Sequence, residues 1–287
     1  MGETALTLES SWQEERQESY KKYRLTRSLA GWHPLVVEER DTASGFHISL
    51  RQYPTGDVEA TAIKMHYYDT LKRRGGAKRK NSEKKEMNES TLKKSQQRAK
   101  AQVRRKILSM QADRLLTLTF RENVTDIDEA WKILKYFIKL MRWRFKDFQY
   151  VVVPEYQKRG AVHFHLAVRG YYHANTVRRL WHRAAGEHGG NVDITSPRKY
   201  ISKNSWNPRR IGAYLSKYMN KEETVDFNKK RYTSGGKVKI PESIKGWMAL
   251  GYPVHNVMRD IINQMTDKSI RTLWEIDNFS NVVYLST

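Results

Sequence analysis

His163-Phe164-His165 and, about fifty residues on, Tyr214-Leu-Ser-Lys217-Tyr218-Met-Asn-Lys221 are the stretches of this chain whose residue types can do chemistry. Two imidazoles one residue apart on an extended strand point to the same side, as two ligands of one metal ion would. Two tyrosines four apart on a helix share a face. Each is followed three residues later by a lysine, Lys217 and Lys221. A tyrosine hydroxyl can attack phosphorus and hold the product as a covalent ester. Its pKa is about 10, so ionising it at neutral pH costs about 4 kcal/mol. A neighbouring lysine lowers that cost and neutralises charge on the phosphate. A divalent ion beside them polarises a non-bridging phosphate oxygen. The expected chemistry is strand cleavage that leaves a 5′-phosphotyrosine and a free 3′-hydroxyl. The energy of the phosphodiester is kept, so the strand can be rejoined without ATP.

The elements that must position these residues can be read from their patterns. In Ala161–Val168, Val162, Phe164, Leu166 and Val168 alternate with Ala161, His163, His165 and Ala167. That is a strand with an apolar face and a histidine face. The preceding run FQYVVVPEY, residues 148–156, is also a strand. If Lys158-Arg159-Gly160 form a three-residue hairpin loop with the glycine at positive φ, Glu155 falls opposite His163. Opposed residues share a face with Cβ atoms about 5 Å apart. Glu155, His163 and His165 then form a nitrogen–carboxylate donor set that suits Mn²⁺ or Mg²⁺. Pro154 points to an edge strand or a bulge, either of which bears on that register. The tyrosine pair has a plainer reading beside the chemical one, because Ile211, Tyr214, Leu215 and Tyr218 make the stripe of a helix packed on a core.

Around these elements, LLTLTF (115–120) reads as a first strand with Thr117 and Thr119 on one face. A helix starts at Thr125-Asp-Ile-Asp128 in a capping-box-like pattern. Its core stripe is Ile127, Ala130, Trp131, Leu134, Phe137, Ile138 and Met141. A second helix runs from about Thr176 to Ala185 and is ended by Gly186. Asn191 to Thr195 reads as a fourth strand. Pro208 suits the first turn of the tyrosine helix. Strand, helix, strand, hairpin, strand, helix, strand predicts an α+β domain of ferredoxin-like type. Its antiparallel sheet would carry helices on one face.

The chain has 287 residues, a net charge of +22 and no cysteine. The absence of cysteine excludes disulfides and zinc–thiolate sites. The charge points to a polyanionic partner, nucleic acid before an acidic membrane surface. No apolar run approaches the roughly 20 residues of a membrane span. The polar, acidic start carries no signal-peptide pattern, which fits a cytoplasmic protein. Residues 1–71 are net −3, residues 72–106 are net +12, and the rest supplies +13. Four regions follow: an N-terminal accessory region (1–71), a basic, helix-rich connecting segment (72–113), a core (114–236) and a C-terminal accessory region (237–287). Arg104, Arg105 and Lys106, with Arg209 and Arg210 ahead of the tyrosines, are the candidate nucleic-acid contacts. No G-x-x-x-x-G-K-[ST] phosphate loop occurs, so a fused helicase of that type is excluded.

LTLTF, PEYQKRGAVHFHLAV and YLSKYMNK resemble, in order, the three motifs of HUH-type rolling-circle replication initiators. The two-tyrosine form is similar to the gene A proteins of small single-stranded DNA phages and to related phage and plasmid Rep proteins. In conjugative relaxases the tyrosine precedes the histidines, whereas here it follows. The resemblance covers about residues 114–235. It implies His163 and His165 as metal ligands with Glu155 as the third, Tyr214 and Tyr218 as nucleophiles, and Lys217 and, more weakly, Lys221 as helpers at the phosphate. It also implies a single-stranded or hairpin origin as substrate and a host helicase and polymerase as partners, in the cytoplasm of a bacterial cell. RYTSGG, residues 231–236, resembles a segment that follows the tyrosine helix in such proteins. A two-tyrosine transposase shares the constellation. A non-catalytic nucleic-acid binder would share the charge but would have no need of both motifs.

Overall fold

The computed structural model describes residues 28–38, 44–66, 89–157, 160–195, 207–219, 231–276 and 282–287. These residues divide into two compact units. One is drawn from the chain's ends, within Met1–Asn81 and Pro241–Thr287, and the other from its middle, within Ser82–Ile240.

In chain order the elements are β1 (Ser44–Gln52), β2 (Val58–His66), α1 (Glu89–Ser109), β3 (Arg114–Phe120), α2 (Ile127–Arg144), β4 (Tyr150–Tyr156), β5 (Val162–Val168) and α3 (Ala174–Ala185). They continue with β6 (Gly189–Ile194), α4 (Pro208–Tyr218), β7 (Thr233–Gly235), β8 (Ile244–Ala249), α5 (Val254–Met265), β9 (Thr272–Ile276) and β10 (Val282–Ser286). None of the described helices is long and apolar enough to cross a membrane.

In the middle unit, β3-α2-β4-β5-α3-β6 is the β-α-β-β-α-β unit expected from the sequence. The sheet order is β6-β3-β5-β4-β7 and every pairing is antiparallel. The helix start is displaced by one residue from the expected cap. Asp126, not Thr125, caps α2, with its side chain accepting from the Asp128 amide. A carboxylate there also meets the positive end of the helix dipole.

One sheet face packs under α2 and α3. Leu116, Leu118 and Phe120 of β3 and Val162, Phe164, Leu166 and Val168 of β5 meet Leu134, Phe137 and Met141 of α2 and Val177 and Trp181 of α3. Trp181 anchors this layer. Its ring lies 5.2 Å from that of Phe120 and 5.5 Å from that of Phe137. Its indole N–H donates to the Thr119 carbonyl at 2.9 Å.

The expectation of helices on one face only is corrected by the other layer. Val103, Ile107 and Met110 of α1 pack with Ile211 and Leu215 of α4 against Leu115, Val151, Val153 and Ala167. The basic segment has too few apolar residues to bury a core alone, but α4 and the Val151-Val152-Val153 run supply the rest. A strand buried on both faces reads as a continuous apolar run rather than an alternating one. The Leu115 and Val151 side of the sheet is therefore core at one end and carries Glu155, His163 and His165 at the other.

Strand β7, from the RYTSGG stretch, is a fifth strand that the sequence reading did not assign. It pairs only with Tyr150, Val151 and Val152. Among the described residues nothing pairs with the sheet edge at Pro154, where a missing N–H is tolerated. Gly236 closes β7 at φ 83°, and a Cβ there would meet the Phe148 carbonyl oxygen. Gly236→Ala is therefore expected to destabilise the chain by about 1–3 kcal/mol. A thermal or urea melt equal to that of the parent would refute this.

Tyr172 offers a second test of this core. Burial, then the negative charge of Asp113, pushes its phenol up to about 12. Its hydroxyl donates to the Arg169 carbonyl at 2.6 Å. A pKa raised in the folded state means stability that is fully present below pH 10 and lost as pH rises through about 12. Between pH 8 and pH 11 the loss from this residue amounts to about 1.4 kcal/mol. In urea unfolding, Tyr172→Phe should be the less stable protein at pH 8 and should close that gap by pH 11. A gap that stays constant with pH would contradict the assignment.

In the unit from the chain's ends, strand order β8-β1-β2-β10-β9 brings residues from both termini into one antiparallel sheet. Val257, Met258, Ile261 and Ile262 of α5 cover Ile48, Leu50, Ala60, Val283 and Leu285. Two regions read separately in the sequence thus share one core.

Candidate active site

The β4–β5 hairpin sets the register of the site. Gly160 has φ 83°. Its amide donates to the Gln157 carbonyl, and the Gln157 amide to that of Ala161, both at 2.8 Å. Glu155 then pairs with His163 and Val153 with His165, the register expected from the loop length. Glu155, His163 and His165 share the sheet face that α4 covers. Lys158 and Arg159 lie outside the described residues.

His165 is the centre of the arrangement. It is 5% exposed. Its Nε2 lies 2.7 Å from Glu155 Oε2, and its Nδ1 lies 3.1 Å from Thr117 Oγ1. With Glu155 ionised, Nε2–H donates to the carboxylate and Nδ1 accepts from the threonine hydroxyl, an assignment that follows from the partners.

The tyrosines reach the same imidazole from α4. Asn207 caps that helix by accepting from the Arg210 amide at 3.0 Å, and Pro208 occupies its first turn. Ile211 and Leu215 are fully buried and hold α4 to the sheet. The Tyr218 ring stacks on His165 at 4.5 Å and 10°. The Tyr214 ring meets it edge-on at 5.8 Å and 89°, and the two phenols are 5.1 Å apart. The aliphatic members of the stripe are core, while its aromatic members border His165. Burial holds the Tyr218 phenol well above the usual tyrosine range, and hydrogen bonding with Tyr214 and the charge of Glu155 add to this.

The remaining candidates lie on α1 and α4, apart from one that is not described. Lys217 is exposed on α4, and Lys221 lies outside the described residues. Arg209 and Arg210 stand in the first turn of α4. Arg104, Arg105 and Lys106 lie on α1, with Arg104 exposed and its stem beside Gly212 of α4. The sequence reading did not assign Thr117 to the site. Its place in the alternation of LTLTF was visible, but the β3–β5 pairing that sets it opposite His165 joins strands with no turn between them.

Whether these residues fit a divalent ion can be judged from the donors. By type and register they do: a carboxylate and two imidazoles on one face of paired strands. As placed, the Glu155 carboxylate engages His165. Among the described residues no group of three His, Asp or Glu side chains converges on one point. Metal binding would have to compete with the Glu155–His165 hydrogen bond and shift the ring proton from Nε2 to Nδ1.

Residues 113–223 match the family model of replication-associated protein ORF2/G2P. No curated protein and no solved structure matched the chain. The matched stretch holds β3 through α4, and so Thr117, Glu155, His163, His165, Tyr214 and Tyr218, but not Arg104, Arg105 or Lys106.

Proposed function

We propose that this protein nicks and rejoins single-stranded DNA at a replication origin through a 5′-phosphotyrosine intermediate, and so initiates rolling-circle replication. The observation that carries the reading is the convergence of two tyrosines and a carboxylate on one buried histidine. A core helix has no use for two phenols at a Glu–His pair. The family match over the same residues supports the replicative role.

In the proposed reaction the phenol of Tyr214 or Tyr218 gives up its proton, and its oxygen bonds to phosphorus. The P–O3′ bond breaks, and the 3′ oxygen takes a proton and leaves as a hydroxyl. The 5′ phosphate stays on the tyrosine until a 3′-hydroxyl attacks and reverses the step. Glu155, His163 and His165 would hold Mn²⁺ or Mg²⁺, which would polarise a non-bridging oxygen of the scissile phosphate. Thr117 orients the His165 ring through Nδ1. Lys217, Arg209 and Arg210 would neutralise flanking phosphates. With two nucleophiles, one tyrosine holds the 5′ end while a host polymerase, aided by a host helicase, extends the 3′ end in the bacterial cytoplasm. The other then attacks the regenerated origin.

Cleavage of single-stranded and hairpin origin-like oligonucleotides with Mn²⁺ or EDTA, read on a denaturing protein gel, tests this. The expected result is a shifted band carrying the 3′ part of the DNA, absent in EDTA. Binding without an adduct, across candidate origins and metals, would favour a non-catalytic role.

A further inference from the structure

Helix α2 lies on the sheet face opposite the tyrosines, and no residue of its exposed side enters the proposed reaction. Lys132, Lys135, Lys139 and Arg142 recur there at steps of three, four and three, which sets them in one line along the helix. After its first turn α2 carries no carboxylate. This line borders a groove of about 810 Å³ whose far wall comes from Tyr150 of β4 and Thr233 of β7. The groove also has aromatic lining. Tyr136 is 41% exposed, and Trp131 packs against Phe164, the rings tilted by 50° with centroids 5.1 Å apart. The Trp131 indole N–H is a donor only. It is shielded from solvent and has no acceptor among the described residues.

We infer that this groove is a second nucleic-acid site, a track for the sugar–phosphate backbone of single-stranded DNA, separate from the nicking face. Four cations in a line at helix spacing match a polyanion rather than a small ligand. Exposed and half-buried aromatic rings beside a basic groove are what stacking of unpaired bases requires. Among the described residues no strand pairs with the edge of the sheet beyond β7, on the side of the groove. Because the sheet separates it from Tyr214 and Tyr218, DNA in this track is not the segment being cut. It is a flanking or displaced part of the same strand. The choice of DNA over other polyanions rests on the proposed nicking function, but the groove and its charges do not.

The test is equilibrium binding of the full chain to a fluorescent oligothymidylate, by anisotropy, in EDTA and across salt concentrations. Lys132→Ala/Lys135→Ala/Lys139→Ala is expected to weaken binding at least about tenfold and to flatten the salt dependence by about 2 units of log–log slope. Tyr136→Ala should weaken binding without changing that slope. Lys239→Ala/Lys245→Ala/Arg259→Ala removes the same charge elsewhere and should leave the slope nearly unchanged. Equal effects from the two triple variants would overturn the assignment, since bulk charge would then explain both. So would a triple variant that loses affinity for duplex DNA alone. Because oligothymidylate binding needs no cleavage, a failure to form the tyrosine adduct refutes the nicking reading and leaves this measurement standing. Melting curves confirm that the alanines, good helix formers on an exposed face, leave the fold intact.

Discussion

Tyr214→Phe combined with Tyr218→Phe abolishes the covalent protein–DNA adduct and leaves the chain folded. The substitution removes two hydroxyls and no ring, so the stack on His165 and the edge contact at Tyr214 persist. The stability cost is that of the lost phenol hydrogen bonding, about 1 kcal/mol. The effect on adduct formation should exceed about a thousandfold, the scale on which removal of a nucleophile acts. A denaturing gel reads the first quantity and a thermal melt the second. An adduct that survives in the double variant would move the nucleophile to another residue. The single variants separate the two roles. If either tyrosine can make the first cut, each single variant forms an adduct on a one-site oligonucleotide but fails to release a closed circle from a two-site substrate.

That pair was readable from the sequence because helix periodicity alone places i and i+4 together. Glu155 was readable for a different reason. A hairpin is local, and once Gly160 takes positive φ the register of its strands follows from loop length. Thr117 shows the limit. Its partner His165 lies 48 residues away across a pairing decided by the whole core, not by a turn. The covered second face of the sheet was hidden in the same way. Val103 looks isolated in a basic segment until α4 brings Ile211 and Leu215 against it. The Val151-Val152-Val153 run was the one local hint, since a strand with a solvated face would alternate.

The unit built from the chain's ends was the least accessible to sequence reasoning. Its sheet joins β1 and β2 to β8, β9 and β10, strands separated by the entire middle unit. The C-terminal Thr287 amide bonds back to the Val58 carbonyl at 3.1 Å. The Lys268 ammonium pairs with buried Asp57, and the Tyr53 hydroxyl donates to Glu59 at 2.6 Å. These are contacts between residues more than 200 positions apart or at a tight hairpin. Only the hairpin leaves a trace in the sequence, as Pro54-Thr55-Gly56-Asp57 between two strand-like runs.

Glu155→Gln is expected to lower nicking by at least about a hundredfold and to raise the Mn²⁺ concentration needed for it. The amide keeps the size of the side chain and can still accept from His165 Nε2. It lacks the charge that attracts a divalent ion. The variant therefore separates the two things Glu155 could do. If it only orients His165, the conservative change costs little. If it is a ligand, Mn²⁺ binding itself weakens, which titration calorimetry or manganese paramagnetic resonance can read without DNA and without turnover. In the parent protein Mn²⁺ at Nε2 of His165 would move the ring proton to Nδ1, where the Thr117 hydroxyl oxygen can accept it. The glutamine variant should bind less tightly. Equal Mn²⁺ affinity in parent and variant would sink the role of Glu155 as a ligand and leave it as the residue that fixes the tautomer of His165. Lower Mn²⁺ affinity with unchanged nicking would instead separate the ion from the chemistry, with the tyrosines cutting by positioning alone.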